Sequence, residues 1–140
     1  MNKLLAAALL FSVQSAMLTP AAHAQSVSEK DGRLADASGR TLYTFDKDSA
    51  TASNCVGDCT AMWPPFMAAA GAGAKGDFAL LMREEGAQWS YKGRPLYRYA
   101  GDSKPGEANG EGKGGVWHSV RAGAPKPSVP SGYDVIRGNY

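Results

Sequence analysis

The chain has 140 residues, a length typical of one domain, and its 15 Lys and Arg residues against 13 Asp and Glu give a formal net charge of +2. This near-neutral charge, with no run of basic residues, excludes the electrostatic surface that nucleic-acid binding requires. Seventeen Gly and eight Pro interrupt the sequence every few residues, which favours short strands and turns.

The first 24 residues have the features of a secretory signal peptide. Lys3 supplies the positive start, residues 4–13 form an apolar run, and residues 22–24 (Ala-His-Ala) give the small-x-small pattern of a cleavage site. The apolar run is shorter than the roughly 20 residues of a membrane-spanning helix. We expect cleavage after Ala24 and a mature chain of residues 25–140 that is periplasmic or secreted, with no membrane span; a retained anchor is the alternative.

The strongest feature of the mature sequence is an internal repeat. Residues 39–49 recur 54 positions later as residues 93–103, with six identities in eleven positions. The same offset pairs Trp63 with Trp117, so the match extends well beyond the motif and indicates a duplication. The predicted parts of the mature chain are repeat one (about 26–66), repeat two (about 78–120) and a Pro/Gly-rich tail (121–140).

Each repeat has the pattern of a three-stranded meander followed by a loop and a short helix. In the third strand, Tyr43 and Phe45 share one face while Leu42 takes the other, and repeat two has the same alternation. The predicted helix is Cys59–Trp63, which Pro64 stops. The predicted strands are 26–30, 35–37 and 41–46 in repeat one, and 78–83, 89–91 and 95–99 in repeat two. The predicted fold is therefore a mostly-β domain of two pseudo-symmetric meanders sharing one core, with one or two short helices.

The repeated aromatic residues are candidates for either a core or a binding platform. They are Tyr43, Phe45, Trp63, Tyr97, Tyr99 and Trp117. We expect two linked core clusters; a stacking platform for a sugar or another flat ligand is the alternative.

Asp48 and Asp102 stand where the two aromatic strands end. An Asp in this position commonly accepts hydrogen bonds from backbone N–H groups and starts a turn or caps a helix. A two-carboxylate hydrolase site is the less favoured alternative. His118 is the only histidine left after cleavage, and nothing in its surroundings marks a catalytic base, so we expect no catalytic residues.

Cys55 and Cys59 are the only two cysteines of the chain. An even number of cysteines in an exported protein predicts a disulfide, here closing a five-residue loop. At the repeat offset, Asn109 and Lys113 stand in their places, so the pair belongs to one repeat.

Two further hypotheses use the same cysteines. Cys55 and Cys59, with Met62 and Met67 nearby, offer the soft ligands that suit Cu(I). The pair could instead act as a thiol–disulfide redox centre, although its spacing is one residue longer than Cys-x-x-Cys. We favour the structural disulfide and expect neither a metal nor another cofactor.

The two motifs Tyr43-x-Phe45-x-x-Asp48 and Tyr97-x-Tyr99-x-x-Asp102 resemble those of the secreted-repeat family of predicted lipoproteins. Its companion motifs are also present, as residues 55–59 (Cys-x-Gly-x-Cys) ahead of residues 63–65 (Trp-Pro-Pro), and as residues 114–117 (Gly-Gly-x-Trp).

The resemblance covers residues 31–120 and implies a duplicated extracytoplasmic domain of unknown activity. Unlike many members, this chain lacks a cysteine for lipidation, so we expect a soluble protein. The favoured function is a non-catalytic binding module for an envelope protein or a small ligand, with copper handling and thiol redox chemistry as alternatives.

Overall fold

The structure is a computed structural model that describes residues 27–123. Its elements are β1 (Ser28–Lys30), β2 (Arg33–Ala35), β3 (Tyr43–Phe45), α1 (Cys59–Met62), β4 (Phe78–Arg83), β5 (Gly86–Tyr91), β6 (Arg94–Pro95), a 3-10 turn (Lys113–Gly115) and β7 (Trp117–Ser119). The predicted mostly-β fold is confirmed. The predicted signal peptide and the end of the predicted tail lie outside the described residues.

The strands form three small antiparallel sheets. β1 pairs with β2, β4 with β5 and β5 with β6, as a meander in each repeat requires. β3, however, pairs with β7, which lies in the other repeat. The two repeats are therefore joined through their backbones as well as their side chains.

Tyr43 and Tyr97 occupy equivalent places in the two repeats and are related by a pseudo-two-fold axis. Each of these residues donates its backbone N–H to the carbonyl of the other, at 2.8 and 2.9 Å. The residues just before them also bond to the opposite repeat. The carbonyl of Leu42 accepts the N–H of Val120, and the carbonyl of Leu96 accepts the N–H of Phe66, both at 2.9 Å. Each central strand is thus flanked by a segment of the opposite repeat.

The core has two clusters, one on each face of the two extended segments that contain Tyr43 and Tyr97. One contains Leu34, Leu42, Phe66, Leu96 and Val120, and the other contains Tyr43, Cys55, Trp63, Tyr97 and Trp117. Adjacent residues in a strand point to opposite faces, so Leu42 and Tyr43 enter different clusters. Each cluster takes residues from both repeats, and the two repeats therefore share one core as predicted.

Several element boundaries differ from the sequence-based expectation. The strand predicted at 35–37 ends at Ala35, because the Asp36 carboxylate accepts hydrogen bonds from the N–H groups of Ser38 (2.9 Å) and Arg40 (3.0 Å) and so starts a turn. The regular part of the strand predicted at 41–46 is only Tyr43–Phe45.

Repeat two and the helix show smaller differences. The strand predicted at 89–91 begins earlier, at Gly86, because its hairpin partner β4 is long enough to pair along its whole length. The strand predicted at 95–99 is regular only at Arg94–Pro95. The helix ends at Met62, one residue early, because Trp63 already has the non-helical ψ of 72° that leads into Pro64.

None of the helices within residues 27–123 is long and apolar enough to cross a bilayer.

Each repeat takes a pairing partner and part of its core from the other repeat, and this exchange predicts that neither repeat folds alone. A fragment of residues 25–75 lacks β7, the partner of β3, and lacks part of both core clusters. A lone meander is marginal in water, so circular dichroism and amide NMR spectra of this fragment should show an unfolded chain. Mixing it with residues 76–140 should restore the dispersed spectrum. A folded fragment 25–75 would contradict the exchange.

Candidate functional site

Four of the repeated aromatic rings form one continuous stack. Trp63 and Trp117 stack face to face, with ring centroids 3.8 Å apart and an interplanar angle of 3°. Phe45 stacks on the outer face of Trp117 at 4.3 Å, and Tyr99 packs against Trp63 at 4.5 Å. Each tryptophan therefore stacks on the second aromatic residue of the motif in the opposite repeat.

This stack leaves neither tryptophan face open. Trp63 and Trp117 are each 6% exposed, and Phe45 and Tyr99 are partly buried at the two ends. Lys113 also places its Nζ 5.3 Å from the centroid of the Tyr99 ring. A flat ligand such as a sugar needs an exposed ring face, so the arrangement favours the core role over a stacking platform.

The motif tyrosines and aspartates are hydrogen bonded across the two repeats. Tyr43 donates its hydroxyl hydrogen to Oδ2 of Asp102, and Tyr97 donates to Oδ2 of Asp48, both at 2.6 Å. The Tyr43 oxygen also accepts the N–H of Gly110 at 3.2 Å. The sequence predicted a turn role for the two aspartates, and it gave no sign that each would bind the tyrosine of the other repeat.

The second oxygen of each carboxylate accepts a backbone N–H. Oδ1 of Asp48 accepts from Asn54 at 2.7 Å, and Oδ1 of Asp102 accepts from Asn109 at 2.8 Å. Both oxygens of both carboxylates are therefore occupied. These four hydrogen bonds favour a role for the two aspartates in forming the turns and joining the repeats. They speak against the hypothesis of a two-carboxylate hydrolase site.

These asparagine bonds also correct the sequence alignment of the two repeats. Asn54 follows its aspartate by six residues and Asn109 by seven, so repeat two has one more residue before this asparagine and one fewer between it and the tryptophan. The structural counterpart of Cys55 is therefore Gly110, and not Asn109 as the constant offset indicated.

Gly110 has no room for a side chain. A Cβ atom there would lie 2.8 Å from the Trp63 ring and 3.0 Å from the Tyr43 ring. A cysteine equivalent to Cys55 could not occupy this position without moving the aromatic core. This is a physical reason why the disulfide occurs in one repeat only.

A buried polar network surrounds the Tyr97–Asp48 bond. The Tyr97 hydroxyl lies 2.6 Å from Oγ of Ser53, which accepts from Arg83 at 2.6 Å. Arg83 also donates to Oε1 of the buried Gln88 at 3.1 Å, and its side chain is only 6% exposed. Hydrogen bonding of this kind is what makes burial of a charged group tolerable.

Burial changes the acidity of the bonded groups. It raises the pKa of the Asp48 carboxyl, against the opposing effects of the hydrogen bonds from Tyr97 and Asn54. Burial also raises the pKa of Tyr43 and of Tyr97 well above the ordinary value, and the bonded aspartate adds to each shift.

The structure joins Cys55 and Cys59 in a disulfide, with Cα atoms 5.3 Å apart. Cys55 is fully buried in the aromatic cluster, and Cys59 is the first residue of α1. Residues 56–58 form the connecting turn, so only one cysteine lies in the helix, as disulfide geometry favours.

The two methionines of the copper hypothesis lie in different surroundings. Met62 is half-exposed at the end of α1, whereas Met67 pairs with Gln88 of β5 and lies against Gly86. The oxidised pair has no thiolate to offer a metal. Both the copper and the thiol-redox hypotheses would need the disulfide to open.

His118 belongs to a polar cluster on the surface. Its Nε2 lies 2.8 Å from Oδ2 of Asp46, and its Nδ1 lies 3.6 Å from Oε1 of Glu111. Asp46 also accepts from Arg94 at 3.0 Å. Both ring nitrogens face carboxylates of neighbouring loops, so the cluster helps to hold those loops together.

The β4–β5 hairpin of repeat two carries an apolar face that reaches solvent. Cross-strand neighbours place six side chains on this face: Phe78, Leu80, Met82, Ala87, Trp89 and Tyr91. Phe78, Trp89 and Tyr91 pack with one side on the core and remain partly exposed, and Met82 is 74% exposed. We call these six residues the hairpin face.

The corresponding hairpin of repeat one is short, and its outer strand is polar. β1 is Ser-Glu-Lys with all three residues exposed, and it pairs with β2 over three residue pairs against six in repeat two. The duplicated fold therefore does not require an apolar hairpin. Sequence reasoning identified residues 78–83 as a strand but missed this face, although five consecutive apolar residues (78–82) were its visible signal.

The geometry defines a duplicated β domain whose motif residues form a closed, cross-linked core and whose repeats differ at the surface. A family model described as a secreted repeat of unknown function matches the chain at residues 25–67 and 80–121. The chain belongs to this secreted-repeat family, which confirms the resemblance seen in its motifs and supports a secreted location. No curated protein and no solved structure matches it.

The buried tyrosines predict a specific loss of stability in alkali. Tyr43 and Tyr97 keep their protons in the folded state above pH 10, where unfolded tyrosine ionises. Their contribution is complete below pH 10 and is lost as pH rises toward the folded pKa, by about 1.4 kcal/mol per pH unit for each tyrosine. Urea unfolding at pH 9.5 to 11.5 should show this slope.

The double variant Tyr43→Phe, Tyr97→Phe provides the control for this titration. It should be less stable at pH 8 but should lose stability more slowly above pH 10. Absorbance at 295 nm should show that two tyrosines of the native chain ionise only on unfolding. Equal slopes for the two proteins would show that these hydroxyls are not buried and bonded as described.

Proposed function

We propose that this chain is a non-catalytic interaction module that works outside the cytoplasm and binds a protein partner through the hairpin face. The observation that carries this proposal is the contrast between the two hairpins. A duplicated fold supplies its own internal control, because repeat one contributes to the same core through a hairpin whose outer strand is polar. The exposed part of the hairpin face, Met82 above all, is therefore more apolar than the duplicated fold requires.

The composition of the hairpin face suits protein recognition. Trp, Tyr, Phe and Met are enriched at protein interfaces, and a flexible methionine adapts to different partner shapes. Adjoining exposed apolar side chains commonly mark interaction sites; here Met82 is exposed and its neighbours on the hairpin face are partly exposed. Trp89 and Tyr91 are fixed on their inner sides by the core, so they lose little conformational freedom on binding.

The closed interior supports an external binding surface over a catalytic site. The motif tyrosines, aspartates and tryptophans are engaged with one another, and the two cysteines are bonded. The groups that could perform chemistry are thus used to hold the repeats together. The secreted-repeat family membership agrees with action outside the cytoplasm, and cleavage after Ala24 stays a prediction.

The test is site-specific photocrosslinking from the two equivalent hairpins. A benzophenone amino acid is introduced at Met82 in the hairpin face or at Glu29 in β1, and each protein is expressed and exported in its native cells. We expect a discrete crosslinked product containing a second protein from position 82 and none from position 29. Excess unlabelled wild-type chain should compete for this product.

A competitor with an altered face controls for specificity. The variant Met82→Glu, which changes only the most exposed residue of the face, should fold, as judged by its near-ultraviolet circular dichroism, and should compete at least about tenfold less well, which corresponds to about 1.4 kcal/mol. The proposal fails if positions 82 and 29 give the same products, or if the only product from position 82 consists of two copies of this chain.

A further inference from the structure

The outer edge of β4 has backbone groups without partners. Arg83 pairs with Gly86 across a two-residue loop, which makes them a hydrogen-bonded pair. Bonded and non-bonded pairs alternate along an antiparallel ladder, so Leu81 also bonds to β5. The N–H and C=O groups of Leu80 and Met82 therefore point away from β5. The other groups on that edge belong to Phe78, which exchanges hydrogen bonds with Lys75 at 2.9 and 3.0 Å. Within residues 27–123, the outward groups of Leu80 and Met82 have no hydrogen-bond partner.

This edge lacks the features that usually prevent strand association. Natural edge strands are protected by charged side chains, proline or a bulge. Residues 78–82 are all apolar, and their pairing with β5 continues without a bulge through Arg83. The equivalent edge strand of repeat one, β1, carries exposed Glu29 and Lys30 instead.

We infer that a second copy of this chain pairs with this edge in an antiparallel, two-fold arrangement. Leu80 of one copy lies opposite Met82 of the second copy, and the symmetry axis passes beside Leu81. In this register both outward donors and both outward acceptors of each copy find partners, which gives four hydrogen bonds between the chains. The two three-stranded sheets become one six-stranded sheet.

Charge also favours a second copy over an unrelated strand. Lys75 lies beside Phe78 at one end of the free edge, and Glu84 and Glu85 lie at the other end; all three are exposed. The two-fold axis brings the Lys75 end of one copy next to the Glu84 end of the other, twice in each dimer. Asp77, which would oppose this attraction, lies 3.8 Å from Lys92 of its own chain.

This pairing uses the backbone edge of β4, whereas the proposed function uses the side chains of the hairpin face. Leu81 separates the two, because its side chain lies on the opposite side of the sheet from Leu80 and Met82. A substitution at Leu81 can therefore disrupt the dimer while the hairpin face stays intact. The dimer and the proposed binding of a protein partner can therefore be disproved separately.

The register makes a disulfide test specific to one position. Leu81 faces its own copy across the axis as a non-hydrogen-bonded pair, with Cα atoms about 4.5 Å apart, a distance that suits a disulfide. The native cysteines are already bonded to each other. The matched control is Ala79→Cys, because position 79 faces Arg83 of the second copy and not another cysteine. In oxidised glutathione, the full-length mature Leu81→Cys protein should form a covalent dimer at least about tenfold faster than this control.

Sedimentation velocity on the unmodified chain gives the second measurement. Wild type should show a monomer–dimer equilibrium, and Leu81→Lys, which places two like charges at the axis, should weaken it at least about tenfold. Leu81→Thr controls for loss of the leucine and should dimerise. A wild-type chain that stays monomeric at millimolar concentration overturns the inference, as do equal crosslinking rates at positions 79 and 81. Unchanged photocrosslinking from Met82 in Leu81→Lys would leave the proposed function standing.

Discussion

The stacking of Trp63 on Trp117 is the contact on which the rest of the structure depends. Each tryptophan comes from one repeat and stacks on the second motif aromatic of the other, Phe45 or Tyr99, so the stack closes only when both repeats are in place. The crossed Tyr–Asp hydrogen bonds act in the same direction, because each buried hydroxyl would be left unsatisfied without the opposite repeat. Two units that look separate along the sequence therefore form one cooperative body.

This shared core explains how the two repeats can differ elsewhere. The shared Leu, Tyr, Asp and Trp residues of the two repeats point inward and contact each other, whereas the largest differences between the repeats lie at the loops and hairpins. The disulfide is accommodated in repeat one, where Cys55 replaces the tightly packed Gly110 of repeat two. The long apolar hairpin occurs in repeat two, where Trp89 and Met82 reach solvent. Once the centre is fixed by symmetry, the surface is free to acquire a binding role.

The sequence was sufficient for the parts of the fold that rest on local pattern. The alternation of Leu42 and Tyr43 predicted the two faces of the central strand, and Pro64 correctly limited the helix. The exchange between repeats could not be predicted, because a tryptophan that packs on its own repeat and one that packs on the other produce the same spacing. The one-residue shift at Asn109 was hidden for a different reason: one fewer residue between Asn109 and Trp117 restores the constant offset at the tryptophan.

The most direct test of this account is a two-dimensional nuclear Overhauser experiment on the folded mature chain with its aromatic rings assigned. The account predicts strong cross-peaks between the rings of Phe45 and Trp117 and between those of Tyr99 and Trp63, because these pairs are 4.3 and 4.5 Å apart. Cross-peaks that instead connect Phe45 with Trp63 and Tyr99 with Trp117, with none between the two tryptophans, would show that each repeat closes on itself and would contradict the shared core.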